Sequence, residues 1–390
     1  MSGSVVRNVK DAVKRGIQKY QIGHEKRIKL DQFKDKRRTE IFETVQLSDA
    51  QKKQIDDLYL ENYGEKIPYT WHRHFTAFTG HFDVNYFPEH LFIPEFEFYM
   101  NLNKKYGVAF EDKNVIPMIA AAAGVKMPKT ILSCTSGLFK DENGNWCDEA
   151  QAAQILQSER EFFAKPSVDS YGGTGCRLLK MHNGVDEKTQ ENAHTILKQL
   201  GDNFVIQERL QCHPAISAIY PGSVNTFRVI TYRWKDEILY MPIIMRIGSG
   251  GGYVDNASAG GMFIAVDPDG TLHKTAFTEF KKEFTVHPDT QLTFEGYQIP
   301  GLDKVIAAAI RMHTFVAQMG CINWDFTLND AGEPVLIEAN TIGGSIDMLE
   351  MTHGTGPFGD RTPEVLRWLK QMNHMGVNEQ RQYLFGKMKK

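Results

Sequence analysis

The sequence predicts an α+β protein with a helical extension at its N-terminus. Strand hairpins are interleaved with helices, which excludes a simple doubly wound sheet. The first 40 residues are basic and carry apolar residues at helical spacing. A chain of 390 residues is long enough for two or three lobes around sizeable cores.

The elements follow in order. Val6, Val9, Val13, Ile17 and Tyr20 recur at steps of three and four, so they share one stripe of a helix. That stripe predicts a helix docking on the body or on a second subunit, with a basic membrane-surface anchor as the alternative. Ser48 and Gln51 form a capping box, and the helix they start ends near Gly64. Residues 65–100 are aromatic-rich and hold His72, His74, His81 and His90, whose spacing suits aromatic packing with exposed or hydrogen-bonded histidines better than a metal site. Asp112-Lys113 opens an Ala-rich helix over 115–125 that reads as buried, closed by Gly124 and Pro128. Strands are expected over 162–165, 176–179, 204–207, 226–234, 238–246 and 261–266. A helix over 302–319 follows, then strands 321–327 and 334–338 joined by the turn Asn329-Asp330-Ala331-Gly332, and a last helix over 363–371.

Composition narrows the class. The chain is 42% hydrophobic and 24% charged, ordinary for a soluble globular protein, and no run approaches the roughly 20 apolar residues of a membrane span. No secretory-type apolar segment opens it, and its five cysteines form no CxxC pair, so a reducing, cytoplasmic setting is expected. Residues 1–40 hold 12 Lys and Arg against 5 Asp and Glu, a local +7. The remaining 350 residues therefore carry −10 of the net −3, which excludes a nucleic-acid-binding balance.

Four constellations carry chemistry. Asp325 lies near the end of one predicted strand and Glu338-Ala-Asn340 closes its partner; residues two apart on a strand share a face, and a tight hairpin brings Asp325 beside them. Two carboxylates and an amide oxygen make an all-oxygen set suited to magnesium held with nucleotide phosphates. In Phe163-Ala-Lys165-Pro-Ser-Val-Asp-Ser170-Tyr-Gly172-Gly173-Thr174-Gly175, a strand lysine can set its ammonium on phosphate while the loop N–H groups close over it. The lysine precedes the glycines, so this is no Walker A sequence, and the loop alone reads equally as a glycine-rich hairpin. The strand 204–207 running into Glu208 and Leu210 can offer backbone groups to an adenine edge and a carboxylate to a ribose, although alone it is only a strand end. Finally, Asn225 and Arg228, then Arg246, then Asn256 with Gly260-Gly261 set two arginines on neighbouring strands beside a close-approach glycine pair. Such a pair suits phosphate or the charge that develops in phosphoryl transfer; its alternative is pairing with surface carboxylates.

The order of these elements, from Asp112-Lys113 through Lys165, Gln207-Glu208, Arg228, Arg246, Asn256 and Gly-Gly to Asp325 and Glu338-x-Asn340, resembles the ATP-grasp superfamily. The run resembles the branch that ligates glutamate to protein C-termini. Gln211-Cys-His213-Pro214, Ser-Val-Asn-Thr-Phe-Arg and the stretch Gly354 to Gly359 resemble the sugar-transfer-associated ATP-grasp family, whose members are associated with surface-polysaccharide loci. The resemblance spans roughly residues 85–370. It implies an ATP-grasp fold with an N-terminal lobe (113–210) and a C-terminal lobe (211–390) after a preceding segment (65–112); the helical extension (1–64) lies outside the resemblance, which gives it no role. It implies ATP and one or two magnesium ions. Lys113, Lys165 and the loop with Ser170, Gly172, Gly173, Thr174 and Gly175 would hold phosphates, Gln207 and Leu210 the adenine, and Glu208 the ribose, with Asn225 beside them. Asp325, Glu338 and Asn340 would be the metal ligands. Arg228, Arg246 and Lys165 would be catalytic, and Arg246, Asn256, Gly260 and Gly261 would meet substrate. Cys212, before His213, departs from the expected pattern, where a less reactive residue is expected.

The implied activity is ATP-dependent joining of a carboxylate to an amine through an acyl phosphate. The acid would be an amino acid, a peptide or a uronic acid on a glycan. The alternatives are a kinase using the same nucleotide site, or a nucleotide-binding scaffold. The expected partners are that acid and amine, and a homodimer is compatible with the sequence. No Ser/His/Asp set or cysteine motif suggests covalent catalysis by the protein.

Overall fold

The computed structural model describes residues 2–168, 172–257 and 260–385, with the backbone alone over 2–9. Two antiparallel sheets organise it. The smaller consists of β1 (Thr130–Thr135), β2 (Leu138–Asp141), β3 (Trp146–Cys147), β4 (Glu161–Pro166), β5 (Arg177–His182), β6 (Val185–Asp186) and β7 (Phe204–Glu208), in the order β3-β2-β1-β7-β4-β5-β6. The larger holds β8 (Thr226–Trp234), β9 (Glu237–Tyr240), β10 (Ile243–Ile247), β11 (Met262–Val266), β12 (Ala276–Phe277), β13 (Glu283–Phe284), β14 (Cys321–Leu328) and β15 (Pro334–Asn340). Its order is β13-β12-β11-β10-β8-β14-β15, with β9 paired to β8.

The expected strand over 238–246 is two strands, broken at Met241-Pro242, because proline has no N–H for the ladder. The small sheet's β1 to β3, and the helices Glu149–Leu156 and Ala193–Leu200 that cover its apolar face, were not read from the sequence. Asp148 and Gln151 do form a capping box at the first of those helices, so a signal was there.

The large sheet is apolar on both faces. Phe227, Val229, Met245 and Ile264 pack beneath the helix Leu302–Phe315. On the other face Ile230, Tyr232 and Trp234 meet the N-terminal and C-terminal helices. A strand alternates its side chains, so Thr226 and Arg228 share this second face with Ile230, Tyr232 and Trp234. The helices cover the apolar end, and the charged end faces the small sheet. That division positions the site.

The extension begins with α1 (Ser2–Asp31), followed by α2 (Lys36–Glu43), α3 (Asp49–Asn62) and α4 (Thr70–Thr79). The Ser48/Gln51 capping box is present at α3. The α1 stripe does not dock as the sequence suggests. Val13, Ile17 and Tyr20 are 57%, 54% and 73% exposed, and the helix meets the body through Arg15, Gln18, Ile22, Lys26 and Lys29 instead. The side chains of Val6 and Val9 lie outside the described residues. The Ala-rich helix (Ile116–Ala122) is also less buried than expected: Ile116 and Ala120 face the core while Met118 is exposed.

His72, His74 and His90 are core residues packed edge-on against Tyr59, Phe33 and tilted against Trp71 respectively. Burial lowers their pKa values to about 4, 3 and 3, so they sit there neutral. His81 bonds the Gly354 carbonyl at 2.8 Å. The sequence reading has these histidines exposed or hydrogen-bonded; His74 is instead fully buried with neither ring nitrogen hydrogen-bonded.

Candidate active site

A crevice opens between the two sheets. The small sheet contributes Lys165 from β4 and Gln207-Glu208 from β7, and the large sheet contributes Arg246 from β10 and Glu338 from β15. Lys113 and Leu210 complete its rim near Pro128, while Phe163 and Leu178 form an apolar wall that the sequence reading missed. Alternation along β4 could have found Phe163, since Phe163 and Lys165 share one face.

The charged centre is a row across three strands. Arg228 on β8 is opposite Asp325 on β14, which is opposite Glu338 on β15. The register shifts just after Asp325, so Ile337 is bulged out of the pairing. Asn323 and Asn340 make the next row. The hairpin geometry expected from spacing is therefore present. Arg228 grips Asp325 with two bonds, Nε to Oδ1 at 2.5 Å and Nη2 to Oδ2 at 3.0 Å. Arg246, whose Cα pairs with Thr226, reaches the same Oδ2 at 3.0 Å. The two arginines thus converge, and they converge on a buried carboxylate.

Burial pushes Asp325 toward the neutral form, but Arg228 and Arg246 outweigh it and hold its pKa below the usual carboxylate range. Glu338 stands within hydrogen-bonding reach of it and is half-buried. Asp255, which the sequence reading passed over, is buried behind Arg246. It accepts from Thr226 N–H at 3.0 Å and from the Thr226 hydroxyl at 2.5 Å. Desolvation raises its pKa despite the Arg246 charge. It stands directly before Asn256, whose Oδ1 accepts from Arg246 Nη1 at 3.1 Å.

Lys165 is 4% exposed, with Nζ 3.5 Å from the Ile337 carbonyl. Burial lowers its pKa to about 8; Glu338 resists that shift and Lys113 adds to it. The sign is fixed. A lysine that loses its proton near 8 is a cation below that pH and neutral above it, so any anion it holds binds more weakly as pH rises through 8. We predict that the dissociation constant of a triphosphate nucleotide rises by about fivefold between pH 8 and pH 9. The Lys165→Met protein should bind weakly throughout and lose that dependence, which isothermal titration across the range checks.

The glycine loop is partly described. Ser170 lies outside the described residues. Gly172 and Gly173 line the crevice at φ 62° and 80°, and a Cβ on Gly173 would meet Asn256 Nδ2 at 2.9 Å. Thr174 and Gly175 are exposed and stand outside the crevice lining. Gln207 donates to the Pro128 carbonyl at 3.3 Å, and Glu208 is half-exposed beside Arg160. Asn225 does not reach the crevice. Its buried amide donates to the Tyr220 carbonyl at 2.8 Å and accepts from Ser223 and from Gly248 N–H, so it is spent on holding two loops together. Gly260 is exposed, and Gly261 packs on the Asp255 carbonyl, where a Cβ would come within 2.5 Å. Both therefore shape the Asp255-Asn256 turn and do not line the crevice.

Cys212 and His213 also have structural partners. Burial raises the Cys212 thiol pKa, and the Thr327 hydroxyl lies 3.7 Å from its sulfur. His213 N–H bonds the Leu328 carbonyl at 2.9 Å while its Nδ1 caps the helix Pro214–Ser217.

A family profile described as sugar-transfer associated ATP-grasp matches residues 94–363. The chain belongs to the sugar-transfer associated ATP-grasp family. Its two sheets are accordingly the two lobes of the ATP-grasp fold, with the crevice between them. No curated protein matches the chain. Among solved structures it is similar to an L-amino acid ligase from Bacillus licheniformis, at 11% identity over 62% of this chain and 42% of that one, with a TM-score of 0.36. It is also similar to an N5-carboxyaminoimidazole synthetase from Staphylococcus aureus complexed with ADP, at 11% identity over 61% and 46%, TM-score 0.35. The VanG D-Ala:D-Ser ligase from Enterococcus faecalis gives 15% identity over 67% and 62%, TM-score 0.39. The chain spans less than half the length of the first two.

This sugar-transfer associated ATP-grasp chain also has a loop following β15 that the sequence reading did not single out. The N–H groups of Gly343 and Gly344 donate to Glu97 at 2.7 and 2.8 Å, and the Thr341 N–H and hydroxyl donate to Glu111 at 2.6 and 2.7 Å. Burial raises Glu97 to about 7 against those two N–H bonds. The segment before the small sheet thereby fixes the loop that leaves Asn340.

Proposed function

We propose that this chain is an ATP- and magnesium-dependent ligase that joins a carboxylate to an amine through an acyl phosphate. One observation carries the reading: Arg228, Arg246, Asp325 and Glu338 stand in one charged patch of the large sheet, with Lys165 of the small sheet opposite. That patch supplies positioning and charge without a protein nucleophile, which is what phosphoryl transfer asks of an enzyme.

Lys113, Lys165 and the backbone of Gly172 and Gly173 hold the phosphates, with Phe163 and Leu178 against the base. Gln207 to Leu210 edge the base and ribose. A carboxylate oxygen of the acid attacks the γ-phosphorus, the bond to the β-bridging oxygen breaks, and ADP leaves. The amine nitrogen then attacks the acyl carbon, the carbon–oxygen bond to phosphate breaks, and the amine proton passes to solvent. Arg228 and Arg246 steady the charge on the transferring group. Magnesium fits the residues present, because Asp325 and Glu338 are opposed on the hairpin and Asn340 adds an amide oxygen two residues on. When bound it neutralises phosphate charge.

The Arg228–Asp325 pair keeps the guanidinium oriented before substrate arrives. The acid is of the amino-acid, peptide or glycan uronic-acid class. The test is a screen of acids and amines with magnesium and ATP. ADP and inorganic phosphate should appear only when an acid is supplied, and hydroxylamine should trap the activated acid as a hydroxamate. Stable transfer of phosphate to an acceptor would replace the ligase reading with a kinase.

A further inference from the structure

The outer face of α1 contradicts the usual arrangement of a surface helix, which turns its apolar stripe inward. Here the docked face is largely polar. Arg15 Nη2 donates to the Asn373 and His374 carbonyls at 3.2 and 3.0 Å, Gln18 donates to Gln380 at 2.9 Å, Lys26 pairs with Glu95, and Lys29 with Glu89 at 3.1 Å. Ile22 is the one fully buried apolar residue among its described side chains. The outward stripe is Val13, Ile17, Tyr20, His24 and Ile28, at steps of four, three, four and four, and all of them are exposed. Lys10, Lys14, Lys19 and Arg27 are exposed around it.

We propose that this face is a docking surface for an anionic phospholipid membrane, with α1 lying in the headgroup plane. Two features choose that occupant over a second copy of the chain. The first is charge. The exposed side chains of α1 carry four cations, Lys10, Lys14, Lys19 and Arg27, against the two carboxylates Glu25 and Asp31; that excess complements an anionic surface, whereas pairing two copies through this face sets like charges against each other. The −10 of residues 41–390 is repelled by the same surface, which orients the molecule with α1 toward it. The second is shape. A narrow apolar ridge flanked by long cationic side chains suits shallow insertion at the boundary between headgroups and acyl chains. Among the described residues no helix is long and apolar enough to cross a membrane. Neither the ridge nor the charge alone gives stable binding; together they supply the two signals that peripheral association requires.

The test needs no nucleotide and is independent of the ligase reading. The full chain is floated with vesicles of phosphatidylcholine alone and of equal parts phosphatidylcholine and phosphatidylserine. It should bind the anionic vesicles only, and binding should fall with added salt. Two variants separate the contributions, both at exposed positions that leave the melting temperature unchanged. Lys10→Gln, Lys14→Gln, Lys19→Gln and Arg27→Gln combined should weaken binding on the order of a hundredfold or more. Val13→Ser, Ile17→Ser and Tyr20→Ser combined should weaken it at least about tenfold. Absent binding, equal binding to neutral vesicles, or variants that bind like the parent would each overturn the proposal. Sedimentation as a dimer that the serine variant abolishes, without vesicle binding, would assign the face to a second copy instead.

Discussion

Asp325→Ala should lower unfolding stability by about 3–5 kcal/mol as well as abolish turnover, because it leaves two guanidinium groups without their shared buried counter-charge. Asp325 is 0% exposed, and Arg228 and Arg246 both end on its oxygens. Removing it exposes the asymmetry of buried ion pairs: the intact network contributes little net stability, while one deleted member strands the others. Urea unfolding checks this, with the slope monitored to confirm that the denatured state is unchanged. Asp325→Asn keeps the shape and one acceptor oxygen, so it should recover part of the stability and none of the turnover. Parent-like stability in the alanine protein would mean that the network is not formed.

Glu338→Gln should also remove turnover, by at least about a hundredfold, but should leave stability within about 0.5 kcal/mol. Glu338 pairs with Asp325 across the hairpin yet is half-buried and faces the crevice. Its charge also supports the Lys165 cation, so the glutamine protein should lower the Lys165 pKa further and weaken nucleotide binding at pH 8 more than at pH 6. Thermal unfolding and nucleotide titration at the two pH values separate these effects. A stability loss as large as that of Asp325→Ala would mean that Glu338 belongs to the core network and not to the ligand side.

This contrast marks how far the sequence could be read. Residue spacing and a four-residue turn predicted that Asp325, Glu338 and Asn340 share a face, since strand alternation is strict. The arginines could likewise be assigned to neighbouring strands. What spacing does not contain is the partner each side chain selects. Arg228 and Arg246 converge on Asp325, so one carboxylate of the pair is gripped by both guanidinium groups while the other faces the crevice. Asn225 was legible as a polar residue beside the site, but its amide serves Tyr220 and Gly248, contacts made only once distant loops are folded together. The same limit governs α1. Periodicity predicted the helix, and Val13, Ile17 and Tyr20 do share one face, whereas its orientation is set by Glu89, Glu95 and Gln380, far away in sequence. Short strands such as β2 and β3 carry too little pattern to be read, and their pairing supplies what propensity lacks.

The central claim, activation of a carboxylate by direct attack on the γ-phosphorus, is tested most directly with an acid from the ADP-release screen labelled with heavy oxygen in its carboxylate. Reaction with ATP and the matching amine should deliver one labelled oxygen into the released inorganic phosphate and leave the other in the amide. Phosphate released without label, at the same yield of amide, would contradict the acyl phosphate.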